Sequence, residues 1–202
     1  DDYIQALQRE TQRLTTLVED ILTLSRMDQD QTQLVYDTVD ICALTHEYVK
    51  DRLILAQEKG LVMAFTGAVD PLLVVADRNQ IGQVIGVLLT NAINYTPSGG
   101  QITVGTPVAD FEGRTWAGIS VRDTGPGIAI DEQQRIFTRF YRGTVGSESG
   151  VPGTGLGLAI ANEILKRHNG RMEVHSTGGD GKGTEFIAWL PLPDVPAVSS
   201  QV

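Results

Sequence analysis

A single cysteine, Cys42, leaves no partner for an internal disulfide and no set of thiolates for a zinc cluster. Its ordinary role is that of a small core or half-buried residue, and the scarcity suits a reducing, cytoplasmic compartment. No apolar run approaches the ~20 residues a membrane-spanning helix needs, and no stretch is patterned as a signal peptide. Basic residues are the minority, 16 Lys and Arg against 25 Asp and Glu, for a formal net charge of −9. A generic binder of nucleic acid or anionic membrane would carry a basic patch, so no nucleic-acid partner is expected. A locally positive pocket for a small anion is still allowed. Glycine and proline are missing altogether from residues 1–28. What remains, 202 residues with 41% apolar content, builds one domain plus an appendage, or two small domains.

The glycine- and proline-free opening reads as one helix about 40 Å long at ~1.5 Å per residue. Ile4, Leu7, Thr11, Leu14, Val18, Ile21 and Ser25 follow a 3-4-3-4 spacing, the seam of a heptad pattern. Leu17, Leu22 and Leu24 widen it toward a bundle face, which needs either a partner helix or its own domain to cover it. A polar linker follows, and the period then changes. Residues 34–41 read as a short strand. Asp40 is placed to cap a helix over 41–58 that Gly60 ends. Residues 61–66 and 72–76 read as strands, and Asp77 opens a strongly apolar helix that "TPSGG" ends. Strands are expected over 101–107 and 115–122, a short helix over about 131–138, and a mobile loop over 141–154. A helix over 155–168 and strands over 171–177 and 184–190 complete the pattern, with a frayed tail from Pro193. Such an order predicts an α/β fold, a two-layer sandwich with a mixed sheet, preceded by one long bundle helix.

Three stretches carry chemistry. In "RDTGPGI", residues 122–128, one carboxylate, Asp123, stands among Gly125, Gly127 and a proline; a plain surface turn would use the same residues. In "VPGTGLGLAI", Gly153, Thr154, Gly155, Leu156 and Gly157 lead into an apolar helix. Glycines at a helix entry let N–H groups approach phosphate oxygens, aided by the helix dipole. The spacing is neither a Walker A loop nor a Rossmann fingerprint, and close helix packing would also ask for small residues. In "LLTNAINYTPSGG", Asn91 lies on an apolar helix, either as a satisfied core amide or as an oxygen donor toward hydrated Mg²⁺.

Together these stretches resemble the sensor histidine kinases, and the resemblance covers nearly the whole chain. "LLTNAINYTP" resembles the family's N box, "RDTGPGI" its G1 box, "IFTRFYRG" its F box, "GTGLGLAI" its G2 box and "GKGTEF" its G3 box. "ETQRLTTLVEDILTLSRMD" is similar to the second helix of the family's dimerisation hairpin. The resemblance divides the chain into a truncated hairpin helix (1–30), a linker (31–36), a catalytic ATP-binding domain (37–192) and a tail (193–202). It implies that Asp123 accepts a hydrogen bond from the adenine amine. A carboxylate only accepts, so guanine's carbonyl is rejected there. Gly125 and Gly127 would let main chain pass the ring, Ile128 would wall it, Tyr95 would cover it and Thr184 would support its edge. Asn91 would hold Mg²⁺ on the phosphates of ATP, and Arg142 would reach the γ-phosphate. Residues 141–154 would form the ATP lid, hinged on Phe137 and Phe140. A second copy of the chain and a response regulator are the implied partners, and the resemblance is compatible with a parent protein anchored in a membrane through segments outside this chain.

The departures fall at the phosphate end. Val87, Thr90 and Asn94 stand where the family commonly has Asn, an acid or Asn, and Lys. Each lost charge-assisted contact would cost on the order of 1–3 kcal/mol. None of the three histidines fits the phosphoacceptor. His46 follows the linker, His168 ends a helix as a cation on its C-terminal dipole, and His175 lies in a strand. The acceptor helix is expected before Asp1, so the chain should not label itself. Alternatives are an anti-sigma-type serine kinase, a gyrase- or chaperone-type ATPase, and a degenerate kinase used as a nucleotide-dependent interaction module.

Overall fold

The computed structural model describes residues 2–29, 33–68, 70–148, 151, 153–178 and 183–193. The expected tail beyond Pro193, the start of the linker at 31–32 and the Gly181–Lys182 start of the last glycine stretch lie outside these residues.

Helix α1 runs Asp2–Asp28. Only its C-terminal end joins the core: Leu24 and Met27 are buried, and Leu17 packs partly against the same cluster. Ile4, Leu7, Leu14, Val18 and Ile21, most of the heptad seam, stay exposed. Residues 33–36 then run along the domain. The Val35 N–H donates to Asp77 Oδ2 at 3.0 Å and the Tyr36 hydroxyl to the Arg167 carbonyl at 2.9 Å. Those bonds take residues 34–36 out of the expected strand, so β1 is only Asp37–Asp40. It pairs antiparallel with β3 (Leu73–Ala76) as a separate two-stranded ribbon.

Helix α2 spans Ile41–Glu58, capped as expected by Asp40, whose carboxylate accepts from the Cys42 and Ala43 N–H groups. Helix α3 spans Arg78–Tyr95, capped in the same way by Asp77. One asymmetric cap of this kind is worth ~1 kcal/mol. The main sheet holds β2 (Val62–Thr66), β4 (Gln101–Gly105), β6 (Arg114–Asp123), β8 (Thr184–Pro191) and β7 (Arg171–His175), in that spatial order. β2 and β4 are parallel and the other pairs antiparallel, so the sheet is mixed. Helices α2, α3 and α5 (Gly157–Arg167) cover one face, against Ala117, Ile119, Val121, Phe186 and Ala188. The two-layer sandwich expected from the sequence is the fold.

Three local expectations change. Strand β5 (Val108–Phe111) joins β6 through Glu112 and Gly113, both at positive φ, a two-residue hairpin turn. The sequence reading had left 108–111 without an element. The helix expected near 131–138 is a single 3-10 turn, Arg135–Phe137. The loop expected over 141–154 contains a five-residue helix, α4 (Thr144–Glu148).

Candidate functional site

β6 ends in Asp123, and beside it in the ladder stands Thr184, the first residue of β8. Asp123 is only 8% exposed. Burial pushes its carboxyl above the usual carboxylate value, opposed by hydrogen bonds from the Gly125 and Thr184 N–H groups. The Gly125 bond is 2.7 Å long. Gly125, expected to let main chain pass the ring, does not line the cavity; its N–H holds the carboxylate. A Cβ there would sit 2.8 Å from Asp123 Oδ1 and 3.0 Å from the Tyr95 carbonyl. Gly183 presses on the same residue from the other side: at φ +70°, a Cβ would fall 1.9 Å from the Asp123 carbonyl oxygen. Gly127 does line the cavity, at φ +83°.

The cavity has a volume of about 740 Å³. It is lined by Asp123, Gly127, Ile128, Tyr95 and Thr184, and also by Asn91 and the residues leading into α5, Gly153, Thr154, Gly155 and Gly157. Eleven of the thirteen residues singled out from sequence thus share one cavity; Gly125 and Leu156 are the exceptions. Leu156 is fully buried and packs into the core, anchoring the start of α5. The volume falls within the range of small-ligand sites.

The 124–128 loop is held by residues that carried no sequence signal. The Ser176 hydroxyl accepts from the Ile128 N–H (2.9 Å) and donates to the Gly183 carbonyl (2.9 Å). The Gln133 amide donates to the carbonyls of Ile128 and Ser176. Ser176 arrives from a segment distant in sequence, and Gln133, five residues beyond Ile128, ties that segment to the loop. Glu132 does the same for α4. Its Oε1 accepts from the Thr144 N–H (2.8 Å), the Thr144 hydroxyl and the Tyr141 hydroxyl. The Thr144 N–H bond is the largest cause holding its carboxyl below the usual range.

Arg142 lines the cavity but spends its guanidinium on lid carbonyls, those of Gly146, Val151 (2.6 Å) and, at 3.5 Å, Gly153. The expected aromatic hinge is halved. Phe137 is half-buried and meets Phe186 edge-on at 6.5 Å, whereas Phe140 is 61% exposed at φ +62°. Phe140 contributes backbone: a Cβ on Gly155 would lie 2.9 Å from its carbonyl carbon. Val87 faces Gly157, where a Cβ would come within 3.4 Å of its methyl. The expected polar group is replaced there by apolar packing. Lys59 donates to the carbonyls of Ile93 (2.6 Å) and Asn94 (2.7 Å), placing a cation at the C-terminal end of α3.

His168 corrects the sequence reading most sharply. It is buried, and Nε2 accepts from the Asp77 N–H at 3.0 Å. That nitrogen carries no proton, so the proton sits on Nδ1, 2.7 Å from the Ile164 carbonyl. The ring is a neutral bridge between α5 and the cap of α3, not a cation. His46 is exposed and stacks on Phe65, and His175 lies on β7 beside Glu173.

Residues 76–194 match the family described as Histidine kinase-, DNA gyrase B-, and HSP90-like ATPase. The chain belongs to this family. Its domain is the ATP-binding catalytic type found in sensor histidine kinases. The sensor histidine kinase RppB of Synechocystis sp. is 34% identical over 197 residues, covering 98% of this chain and 42% of that protein. The chain thus spans less than half the length of that kinase. Among solved structures, full-length ShkA in complex with AMPPNP superposes with a TM-score of 0.77 at 29% identity, over 95% of this chain and 38% of ShkA. The histidine kinase ThkA in complex with the response regulator protein TrrA gives a TM-score of 0.73 at 25% identity, over 96% of this chain and 51% of that one. Among the described residues of this histidine-kinase-type chain, no helix is long and apolar enough to cross a membrane.

Proposed function

We propose that the cavity binds ATP with its adenine on Asp123 and its phosphates at the entry to α5, and that the chain is the kinase core of a sensor histidine kinase. The observation that carries this reading is a buried carboxylate, held in place by main-chain N–H groups and lining a cavity that ends at a helix N-terminus. A buried acceptor of this kind is costly unless a donor meets it, and the adenine amine is such a donor. Ile128 and Tyr95 supply apolar surface on either side of Asp123, and Thr184 its second edge. N–H groups around Gly153–Gly157 face the phosphate end.

Among the described residues there is no cluster of three metal-ligating side chains. That suits Mg²⁺, which keeps most of its water and is carried by phosphates with one or two protein oxygens, here Asn91. When bound, the ion neutralises charge on the phosphates. Arg142 would join it on exchanging its lid carbonyls for phosphate oxygens. The domain division 1–30, 31–36, 37–192 and 193–202 follows from the same reading, as do a cytoplasmic setting and transfer through a phosphohistidine to a response regulator. None of the three histidines here is suited to accept, so the acceptor belongs to another helix. The exposed seam of α1 supports pairing with a second copy.

Calorimetry tests the nucleotide site. ATP should bind and GTP should not, and Asp123→Asn should weaken ATP at least ~100-fold, about 2.7 kcal/mol. Equal affinity for ATP and GTP, or an unchanged affinity in the variant, overturns the assignment. A second reading, a nucleotide-dependent module without transfer, is favoured by Val87 filling the space beside Gly157. Radiolabel passing from ATP to an added acceptor hairpin would decide for the kinase.

A further inference from the structure

The wall of the cavity opposite α3 is built by α1. Glu10, Thr16 and Asp20 line it, so two acidic residues of the bundle helix border the cavity, and Asp20 stands at the glycine-rich entry to α5. Asp20 closes the gap completely: its Oδ2 accepts from the Thr154 hydroxyl at 2.8 Å. A carboxylate can only accept, so Thr154 spends its one proton on Asp20. The same hydroxyl oxygen accepts from the Leu156 N–H at 3.2 Å. Thr154 therefore ties one N–H of the helix entry to α1 instead of leaving it to an incoming anion. Asp20 pays for its place: burial pushes its carboxyl above the usual value, neighbouring Glu19 adds to this, and only the Thr154 bond opposes it. The anchorage of α1 is uneven. Leu24 and Met27 are buried at one end, whereas Ile4, Leu7, Leu14 and Val18 toward the other are exposed. The part of the helix that borders the cavity meets it through Glu10, Thr16 and Asp20, and among its described residues only Leu17 packs partly against the core, so it can leave at little apolar cost.

We propose that Asp20 is the residue through which the site senses ligand charge: it latches α1 to Thr154 when no polyphosphate is present, and the phosphates of a nucleotide displace it and release α1. The inference rests on the nucleotide reading above and adds a ligand-selecting residue that lies outside the matched family region, residues 76–194. Phosphate and carboxylate compete for the same donors and repel each other in a partly buried setting, where the interaction is much less screened than in water. Adenosine, which has the base and no phosphate, meets no such opposition. Asp20 therefore sets the preference between charged and uncharged ligands, and links occupancy of the cavity to the freedom of the bundle helix.

The test uses the whole chain with ATP and adenosine as probes. Asp20→Ala and Asp20→Asn should each bind ATP more tightly, by about tenfold, while adenosine changes less than about twofold. Spin labels at Thr11→Cys and Ser98→Cys, in a Cys42→Ser background, report the position of α1. ATP should shift their distance distribution in the parent protein, adenosine should not, and Asp20→Ala should show the shifted distribution without any ligand. Unchanged or weaker ATP binding in both variants overturns the latch, and so does equal tightening of adenosine. A distance distribution indifferent to ATP in the parent protein also overturns it. If ATP binds the parent protein and only these outcomes fail, the latch alone is lost. If the parent protein binds no ATP, the nucleotide reading falls and takes the latch with it.

Discussion

At the level of single residues, Asp123 shows how a site residue is kept at a cost. Its carboxyl is raised by burial, so the folded protein holds the proton more firmly than the unfolded chain, whose Asp value is ~3.9. In the window between that value and the folded one, the native state binds the extra proton, and stability falls as pH rises through it. Binding of the adenine amine needs the ionised form, so ATP affinity falls on acidification, beginning above the ordinary Asp range. Titrating affinity and thermal midpoint together checks both. Asp123→Asn should reduce the pH dependence of the midpoint in that window, leaving the contributions of Asp20, Glu132 and Glu185, without lowering the midpoint of the ligand-free protein. His168 is the structural counterpart. Replacing it by Ala leaves the Asp77 N–H without its acceptor and opens a cavity beneath Tyr36, which meets the ring edge-on at 5.4 Å. A loss of about 2–4 kcal/mol in urea unfolding is expected, with His168→Gln recovering part of it.

At the level of elements, the short segments were the hard ones to read. Helices α2 and α3 were legible because a capping Asp, an apolar period and a terminal break agree on the same boundaries. β5 escaped the sequence reading because Glu112 takes the positive-φ position that Asn, Asp or Gly normally fills in a two-residue hairpin, so the turn carries only Gly113 as a signal. α4 had no such signal. Five residues cannot form a stable helix by propensity, and this one is held from outside by Glu132. Glu132→Gln should therefore loosen α4 alone. Amide exchange across residues 143–147 should quicken by about tenfold, while the global midpoint moves by less than ~2 °C, as for other exposed charged partners.

For the whole molecule, the arrangement of α1 decides how the chain behaves in solution. Most of its seam residues are exposed, and its buried apolar anchor is Leu24 and Met27, each worth ~1.5–3 kcal/mol, with Leu17 partly packed beside them. Removing residues 1–22 should leave cooperative unfolding of the remainder intact and abolish concentration-dependent association, measured by sedimentation. Retained association after the deletion would place the interface elsewhere.

The layer architecture, the capped helices and the mixed sheet were readable in the chain itself, and eleven of the thirteen site residues named from the motifs and the family resemblance line the cavity. Periodicity, caps and glycine spacing are local, and a local pattern is all that a short stretch can record. Tertiary structure alone decided that Gly125 supports Asp123 instead of lining the cavity, that Leu156 is core, that Phe140 points outward and that His168 is a neutral bridge. Ser176, Gln133 and Glu132 became visible as supports only there, and so did the bond between Asp20 and Thr154, 134 residues apart. The long-range ones depend on which segments meet across the fold, and a hydrogen bond between distant residues leaves no periodic trace in either one; the local ones, such as Gly125 on Asp123, depend on a loop conformation that the surrounding fold sets.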